Sequence, residues 1–376
     1  MSTQRANRRE FMAISATVLT LKSVETVRAG EPAAAKDKAE DGLAWRDVRE
    51  WGVEGRGWDD TERYFDRFPR KAKGVVRDAV WSLSRHSAGM CCRFETDATA
   101  IWARYELLSK SLALPHMPAT GVSGLDLYAR DGEKRWRWLG FVSPTTQKLK
   151  VRLADGIEPG RREYLLYLPL YNGVESLEIG VAPQAAFKPL APRAKPIVFY
   201  GTSITHGGCA SRPGMAYPAI IGRRLDSPVI NLGFSGNGTM DPEVGALLAE
   251  LDASVYVIDC LPNMQGDAVA ARTEPLVRQL RAARPKTPIV LVEDRTYTNA
   301  VFLPGQRKRH AASRAALRSA YDHLKAAGVQ GLHYVEGERL LGDDGEGTVD
   351  GSHPTDLGMF RMADALMPVL KPLVEK

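Results

Sequence analysis

The sequence predicts an α/β fold, a doubly wound parallel five-stranded sheet, preceded by an antiparallel β-sandwich. Three observations predict it. Between residues 45 and 181, short runs of interleaved apolar and polar residues are separated by turn residues, the texture of a sandwich. Four prolines (Pro183, Pro189, Pro192, Pro196) then break the chain. Beyond them, five apolar runs alternate with helical patterns, as parallel strands with crossover helices require.

Along the chain, the first element reads as an address. Arg8-Arg9 precede Phe11 and a modest apolar run to Leu21, with small residues after it. A charged head, a short apolar stretch and small residues make an export signal. The paired arginines resemble the twin-arginine (Tat) type, which implies the Tat export machinery as a partner and a periplasmic or extracellular destination. The signal is expected over residues 1–29. Residues 30–44, small, charged and proline-containing, are expected to be a linker.

The sandwich is expected over residues 45–182. Its strand-like runs include "GVVRDAVWSLSRHSAG", "CCRFETDATAIWARYEL", "GLDLYARDGEKRWRWLGFV", "REYLLYLPLY" and "ESLEIGVA", with little helical periodicity. A hairpin is expected at Asp131-Gly132. The proline-rich piece, 183–196, is a semi-rigid connector. From 197 to 376, strands are expected at 197–200, 229–232, 255–260, 289–293 and 332–335. Helices are expected near 215–225, 242–251, 268–284, 310–327 and 357–374.

Bulk properties exclude several classes. Hydrophobic residues are 44% and charged residues 26%, ordinary for a soluble protein with sizeable cores. Of the +6 net charge, the first 29 residues supply half, and the remaining basic residues are scattered, so no nucleic-acid partner is expected. After the signal no apolar run approaches the ~20 residues of a membrane span, so no stable membrane insertion is expected. Cys91, Cys92, Cys209 and Cys260 match no zinc spacing and are too few for a disulfide framework, which leaves buried thiols.

In an open parallel sheet, ligands bind at the carboxyl ends of the strands. Four polar stretches fall there: "GTSITHGG" after the first strand, "NLGFSGNG" after the second, "DCLPNM" after the third and "VDGSHPTDLG" before the last helix. The first lacks the lysine of a phosphate loop and the second glycine of a GxSxG elbow. It does hold Ser203. Asp350 and His353, three apart, suit a carboxylate that orients an imidazole, which in turn takes a serine proton. Thr355 and Asp356 are the better caps for the following helix. The Ser203 N–H, the Gly236 N–H and the Asn263 amide are candidate donors to an oxyanion. No cofactor or metal is expected.

The blocks in the order Ser, Gly, Asn, Asp-x-x-His resemble the SGNH (GDSL-type) hydrolases. That resemblance implies a flavodoxin-like sheet, ester hydrolysis through an acyl-enzyme, Ser203 as nucleophile with His353 and Asp350, and an oxyanion hole of Ser203, Gly236 and Asn263. Two departures stand out: Thr202 in place of the aspartate of Gly-Asp-Ser, and "LPNM", which lacks the usual glycine before Asn263. Upstream, "SGLDLY" (123–128) resembles the GxDLY motif of β-sandwich, jelly-roll-like domains that precede such hydrolases in exported bacterial proteins.

The expected function is therefore that of an exported serine esterase acting on a small-molecule or polysaccharide ester, deacetylating carbohydrate. The alternatives are a lipid esterase or thioesterase of the same family, and a non-catalytic glycan-binding protein on a retained hydrolase scaffold. Among other residues, His86 and His116 are expected as surface or loop histidines, with a second possibility that they lean over the site. His206 is as suited to packing the first helical turn as to touching substrate. Trp136 and Trp138 share a strand face, expected to be the sandwich core rather than a sugar platform. The basic stretch 305–314 is expected as a solvated loop and helix start.

Overall fold

A computed structural model describes residues 38–375. The twin-arginine segment, its cleavage region and residues 30–37 lie outside the described residues. Residues 38–44, read above as the end of a linker, pair as strands: β1 (Lys38–Glu40) runs antiparallel to β2 (Leu43–Asp47).

The N-terminal section continues with helix α1 (Asp78–Ser84), β3 (Cys91–Thr96), β4 (Ile101–Leu107), a short helix α2 (Ala119–Val122), β5 (Asp126–Arg130), β6 (Trp136–Phe141), β7 (Lys148–Ala154), β8 (Arg162–Tyr167), β9 (Val174–Val181) and β10 (Phe187–Leu190). They form two five-stranded sheets, ordered β1-β2-β9-β4-β7 and β10-β3-β8-β5-β6. Strand β4 shows how the sequence builds the sandwich: Ile101, Ala103, Tyr105 and Leu107 alternate inward while their neighbours stay half-exposed. They meet Cys92, Phe94, Leu127, Tyr164 and Leu166 from the facing sheet.

Three expectations change here. Residues 78–84, inside a run read as β-like, form α1 and bury Val80. The proline-rich connector contains β10, which pairs with β3. Trp136 and Trp138 are not in the sandwich core. A β-bulge leaves Leu139 unpaired opposite Leu127 and Tyr128 and sends Leu139 toward that core. Trp136 instead packs on the outer cluster of Cys91, Tyr128, Leu165, Tyr167 and Ala219, and Trp138 is 48% exposed. Cys91 and Cys92 do face opposite ways, into different clusters, and all four thiols are free and buried.

The C-terminal section is β11 (Ile197–Gly201), α3 (Ser203–His206), α4 (Tyr217–Arg224), β12 (Val229–Gly233), α5 (Pro242–Glu250), β13 (Val255–Asp259), α6 (Gly266–Ala283), β14 (Ile289–Val292), α7 (Pro304–Ala326), β15 (Leu332–Val335) and α8 (Asp356–Val374). The sheet is parallel throughout, ordered β12-β11-β13-β14-β15. Strands β11, β12 and β13 are buried at every position, as a sheet covered on both faces requires. The basic stretch 305–314 is not a loop: α7 starts at Pro304 in its first turn, a position that suits proline because no N–H is needed there.

The N-terminal section contributes to both cores of this sheet. Phe68, Ala72, Val76 and Val80 join the side covered by α5 and α6. Ala88, Met117, Val122 and Leu170 join the side covered by α4 and α8. Arg67, fully buried, donates to the carbonyls of Asn231 (3.0 Å) and Gly233 (2.7 Å) at the end of β12, and to those of Leu83 and His86. Burial of its guanidinium draws its pKa down to about 9.

Candidate active site

The order β12-β11-β13 reverses direction at β11, and a crevice opens where neighbouring strands send their connections to opposite faces. Ser203 follows β11, Gly236 follows β12 and Asn263 follows β13, so three of the expected residues meet at that point. The fourth block, 349–353, arrives ahead of α8.

Ser203 opens α3. Thr202 is the residue that caps it: its Oγ1 accepts the Ile204 N–H at 3.3 Å, which accounts for a hydroxyl residue at this position. Gly207 closes the turn at φ 111°. The Ser203 carbonyl is held by the N–H of Gly208 (2.7 Å) and by the Tyr171 hydroxyl (3.1 Å), the latter from the segment after β8. As the first residue of a helix, Ser203 has no carbonyl behind it to occupy its own N–H.

Ser203 Oγ lies 2.8 Å from His353 Nε2. His353 Nδ1 lies 2.7 Å from Asp350 Oδ2, and Asp350 Oδ1 accepts the N–H groups of Ser352 (3.0 Å) and His353 (2.8 Å). Burial pushes the Asp350 carboxyl upward, but the N–H and imidazole bonds from His353 and the N–H of Ser352 outweigh it and bring its pKa to about 2. The carboxylate is therefore ionised at neutral pH. With Asp350 accepting at Nδ1–H, Nε2 carries the lone pair that faces the Ser203 hydroxyl.

The loop after β12 brings the second donor. Gly236 sits at φ 69°, a left-handed conformation that favours glycine, and a Cβ there would meet nothing within 4 Å. The requirement is thus backbone conformation rather than crowding. Among the described residues nothing accepts the Gly236 N–H. Gly238 differs: its added Cβ would lie 2.1 Å from the Gly201 carbonyl, so the loop can approach β11 only without a side chain. The Gly238 N–H donates to Asn263 Oδ1 at 3.1 Å, which turns the Asn263 Nδ2 amide the other way, as a donor. Asn263 reaches this place on a short 3-10 turn, Leu261–Asn263, with Pro262 inside it. The turn supplies the geometry that "LPNM" left open.

Several supports carry no sequence signature. Arg295, 1% exposed after β14, donates to the Ser352 carbonyl at 2.9 Å and to Ser352 Oγ at 3.0 Å, bracing the residue beside His353. Asp356, in the first turn of α8, binds the Ser211 N–H and hydroxyl, tying the histidine loop to the chain leaving the serine turn. Under α3, Asp259 Oδ2 accepts from Tyr217 (2.9 Å) and Thr205 (3.2 Å), while Oδ1 has no partner. Burial raises the Asp259 pKa to about 6.

The histidines sort themselves. His116 sits at the tip of a two-residue turn closed by Leu114 and Met117, exposed, with its ring 6.2 Å from that of His353. It leans over the site from the N-terminal section. His86 does not: it packs 5.4 Å from His206, and burial, with the Arg67 charge, takes its pKa to about 3. His206 is a packing residue, stacked 4.1 Å from Tyr171 and donating Nε2–H to the Leu170 carbonyl. Among the described residues no three His, Cys, Asp or Glu side chains are grouped to hold a metal ion.

Comparison with known proteins identifies the family of both sections. Residues 194–371 match the model of the GDSL-like lipase/acylhydrolase family, and residues 43–187 match that of the GxDLY domain, the N-terminus of SGNH-hydrolase-type esterases. No curated protein matches the sequence. Among solved structures, a protein described as a GDSL-like lipase from Bacteroides ovatus is 34% identical, with a TM-score of 0.83 over 89% of this chain and 98% of that one. A salicylyl acyltransferase from a tetracycline biosynthetic pathway (19% identity, TM-score 0.71, 90% and 97% covered) shares the fold. So does an acetyl xylan esterase from Butyrivibrio proteoclasticus (10%, 0.55, 89% and 99%). The chain belongs to the SGNH (GDSL-like) hydrolase family, as an esterase with a GxDLY-type N-terminal section.

Proposed function

We propose that this esterase removes acetyl groups from carbohydrate through a serine acyl-enzyme. The observation that carries the reading is the unbroken relay from Asp350 through His353 to Ser203, with 2.7 and 2.8 Å between the bonded atoms. Ser203 Oγ attacks the ester carbonyl while His353 Nε2 takes its proton. Asp350 keeps the proton on Nδ1 and stabilises the imidazolium. The oxyanion rests among the Ser203 N–H, the Gly236 N–H and the Asn263 amide. His353 then protonates the departing sugar alkoxide and, in the second half, activates the water that releases acetate.

The carbohydrate preference is supported by the fold shared with an acetyl xylan esterase and by the exposed His116 ring, 6.2 Å from that of His353, which gives a polar rim to the site. The test is acetate release from acetylated xylan alongside 4-nitrophenyl acetate. Release of acetate from both, lost in Ser203→Ala, is the expected result; no release from either overturns the reading.

One observation favours a lipid or thioester substrate instead. Val301 and Phe302 are 68% and 81% exposed on the loop after β14, and Thr298 of that loop donates to the Gly351 carbonyl beside Asp350. An apolar rim there suits a longer acyl chain. Faster turnover of 4-nitrophenyl laurate than of the acetate ester decides for it.

We also propose export by the Tat route, supported by Arg8-Arg9 and the apolar run behind them. Replacing both arginines with lysine is expected to hold the protein in the cytoplasm on cell fractionation. Unchanged export rejects the route.

A further inference from the structure

Beyond the catalytic crevice, a groove of about 540 Å³ runs between β6 and helix α4, closed at one side by Phe360 of α8. Its wall carries the alternating Trp and Arg residues of "KRWRW", which the hydrolase site does not use. The charges of this wall are unbalanced. Arg130 is matched by Glu163 and Asp226, Arg135 by Asp131 and Glu133, Arg137 by Asp131, Arg212 by Asp126 and Arg224 by Asp364. Arg223 and Lys134 have no carboxylate within ion-pair distance among the described residues, and Arg223 Nη1 has no hydrogen-bond acceptor. Arg223 instead lies over the Tyr128 ring at 4.0 Å and the Tyr167 ring at 5.4 Å. A guanidinium held on aromatic faces without a carboxylate partner keeps an unbalanced positive charge on the wall, although its Nη1 is itself buried.

The same wall exposes an apolar ring, Trp138, 48% exposed, and Phe141, outside the groove lining, lies beside it, centroids 6.2 Å apart and 28° from parallel. The Trp138 N–H is bonded to Asp126 at 3.0 Å, which fixes the ring as a platform. Flat rings beside unpaired guanidinium match a pyranose that carries a carboxylate: its C–H face stacks and its carboxylate takes the cation. Arg212 and Met215 of the groove belong to the chain leaving the Ser203 turn, and Phe360 lies in α8, which begins just after His353. One end of the groove therefore lies toward the catalytic edge, while Arg223, at the far end of α4, lies toward the opposite edge of the sheet.

We propose that this groove binds a uronic-acid residue of an acidic polysaccharide and so holds the chain whose esters the neighbouring site cleaves. The anionic character rests on the groove itself; the glycan class rests on the carbohydrate-esterase reading.

The test is affinity electrophoresis of the full chain in gels containing deacetylated glucuronoxylan, neutral arabinoxylan or dextran sulfate. Retardation by glucuronoxylan and not by arabinoxylan is expected. It should weaken about tenfold in Arg223→Gln and in Trp138→Ala, with 4-nitrophenyl acetate hydrolysis unchanged. Trp138 is a surface residue, so its variant remains informative should Arg223→Gln fold poorly. Equal retardation by neutral and acidic xylan overturns the proposal. So does retardation by dextran sulfate that matches glucuronoxylan and survives Trp138→Ala, which is ion exchange alone. Because binding is read on deacetylated polymer, a protein that binds but releases no acetate defeats the esterase reading and leaves this one standing. One that releases acetate but does not bind does the reverse.

Discussion

Arg295 and Ser352, far apart in sequence, are joined by two hydrogen bonds, 2.9 Å to the carbonyl and 3.0 Å to the hydroxyl, and His353 is the residue that follows the one so held. Arg295 bonds to Ser352 and Asp294 and not to Ser203; it acts through the position of the histidine. Arg295→Lys keeps the charge but loses the fork. We expect kcat to fall roughly 10- to 100-fold, the scale of a small misplacement of a reacting group, with KM little changed. Since Asp350 lies in the same turn, the acid limb of the pH profile should move as well. A variant with normal kcat and an unmoved profile would show that the bonds serve stability alone.

The relay itself predicts a graded series with 4-nitrophenyl acetate. Ser203→Ala and His353→Ala should leave activity at background. Asp350→Asn should cost on the order of 10⁴ in kcat if Asp350 fixes the tautomer of His353. Asp350 is half-exposed, so solvent can partly replace it; a loss below about tenfold would remove it from the mechanism.

For the oxyanion, Asn263→Ala should lower kcat by about 10² to 10³ without raising KM, because the amide is needed most where charge develops. Gly236→Ala tests a different cause. Its Cβ meets no neighbour, so any loss comes from the left-handed backbone, a cost of roughly 1–2 kcal/mol. Equal KM increases in both variants would instead mark these groups as ground-state binders.

The buried Asp259 gives a stability prediction with a definite sign. Its folded pKa of about 6 exceeds the unfolded value near 3.9, so the folded state holds the extra proton between the two. Stability from this group is full below about pH 4 and is lost as pH rises through 6, by roughly 3 kcal/mol. Asn at this position has no charge to bury. The Tm of Asp259→Asn minus that of wild type should therefore grow from pH 4 to pH 7.5. A difference that stays flat, or shrinks, would place the carboxyl in a different ionisation state.

His116 is expected to act on large substrates only. His116→Ala should raise KM for acetylated xylan several-fold while leaving 4-nitrophenyl acetate kinetics intact, since the ring is exposed at the rim, where a polymer extends and a small ester need not. A matching fall in kcat for both substrates would give the ring a part in the chemistry.

Much of this site was legible because each block carries its own local signal: a strand end, then Ser203, Gly236 or Asn263, and a turn with Asp350 and His353 spaced for one imidazole. Topology alone then assembles them. Arg67, Arg295 and Tyr171 were not legible, because each acts on a carbonyl that lies distant in sequence and no local pattern marks the pairing. Residues 78–84 misled because Val75, Val76, Val80, Trp81 and Leu83 satisfy strand and helix spacing about equally. The tryptophans misled because a single bulged residue, Leu139, re-aims the strand. The start of α7 was signalled by Pro304 but hidden by a basic, solvated face.

Arg67 carries a consequence for how the protein can be divided. Four backbone carbonyls, two preceding the loop that bears Gly236 and two in the N-terminal section, share one guanidinium. Together with Tyr171 on the Ser203 carbonyl, this makes the sandwich an inner wall of the catalytic apparatus and not a detachable appendage. Truncation to the α/β half would strand the Asn231 and Gly233 carbonyls and strip part of the apolar cover from both cores of its sheet. The smallest autonomous hydrolase in this chain is therefore the two-part body itself, expected to melt in one transition.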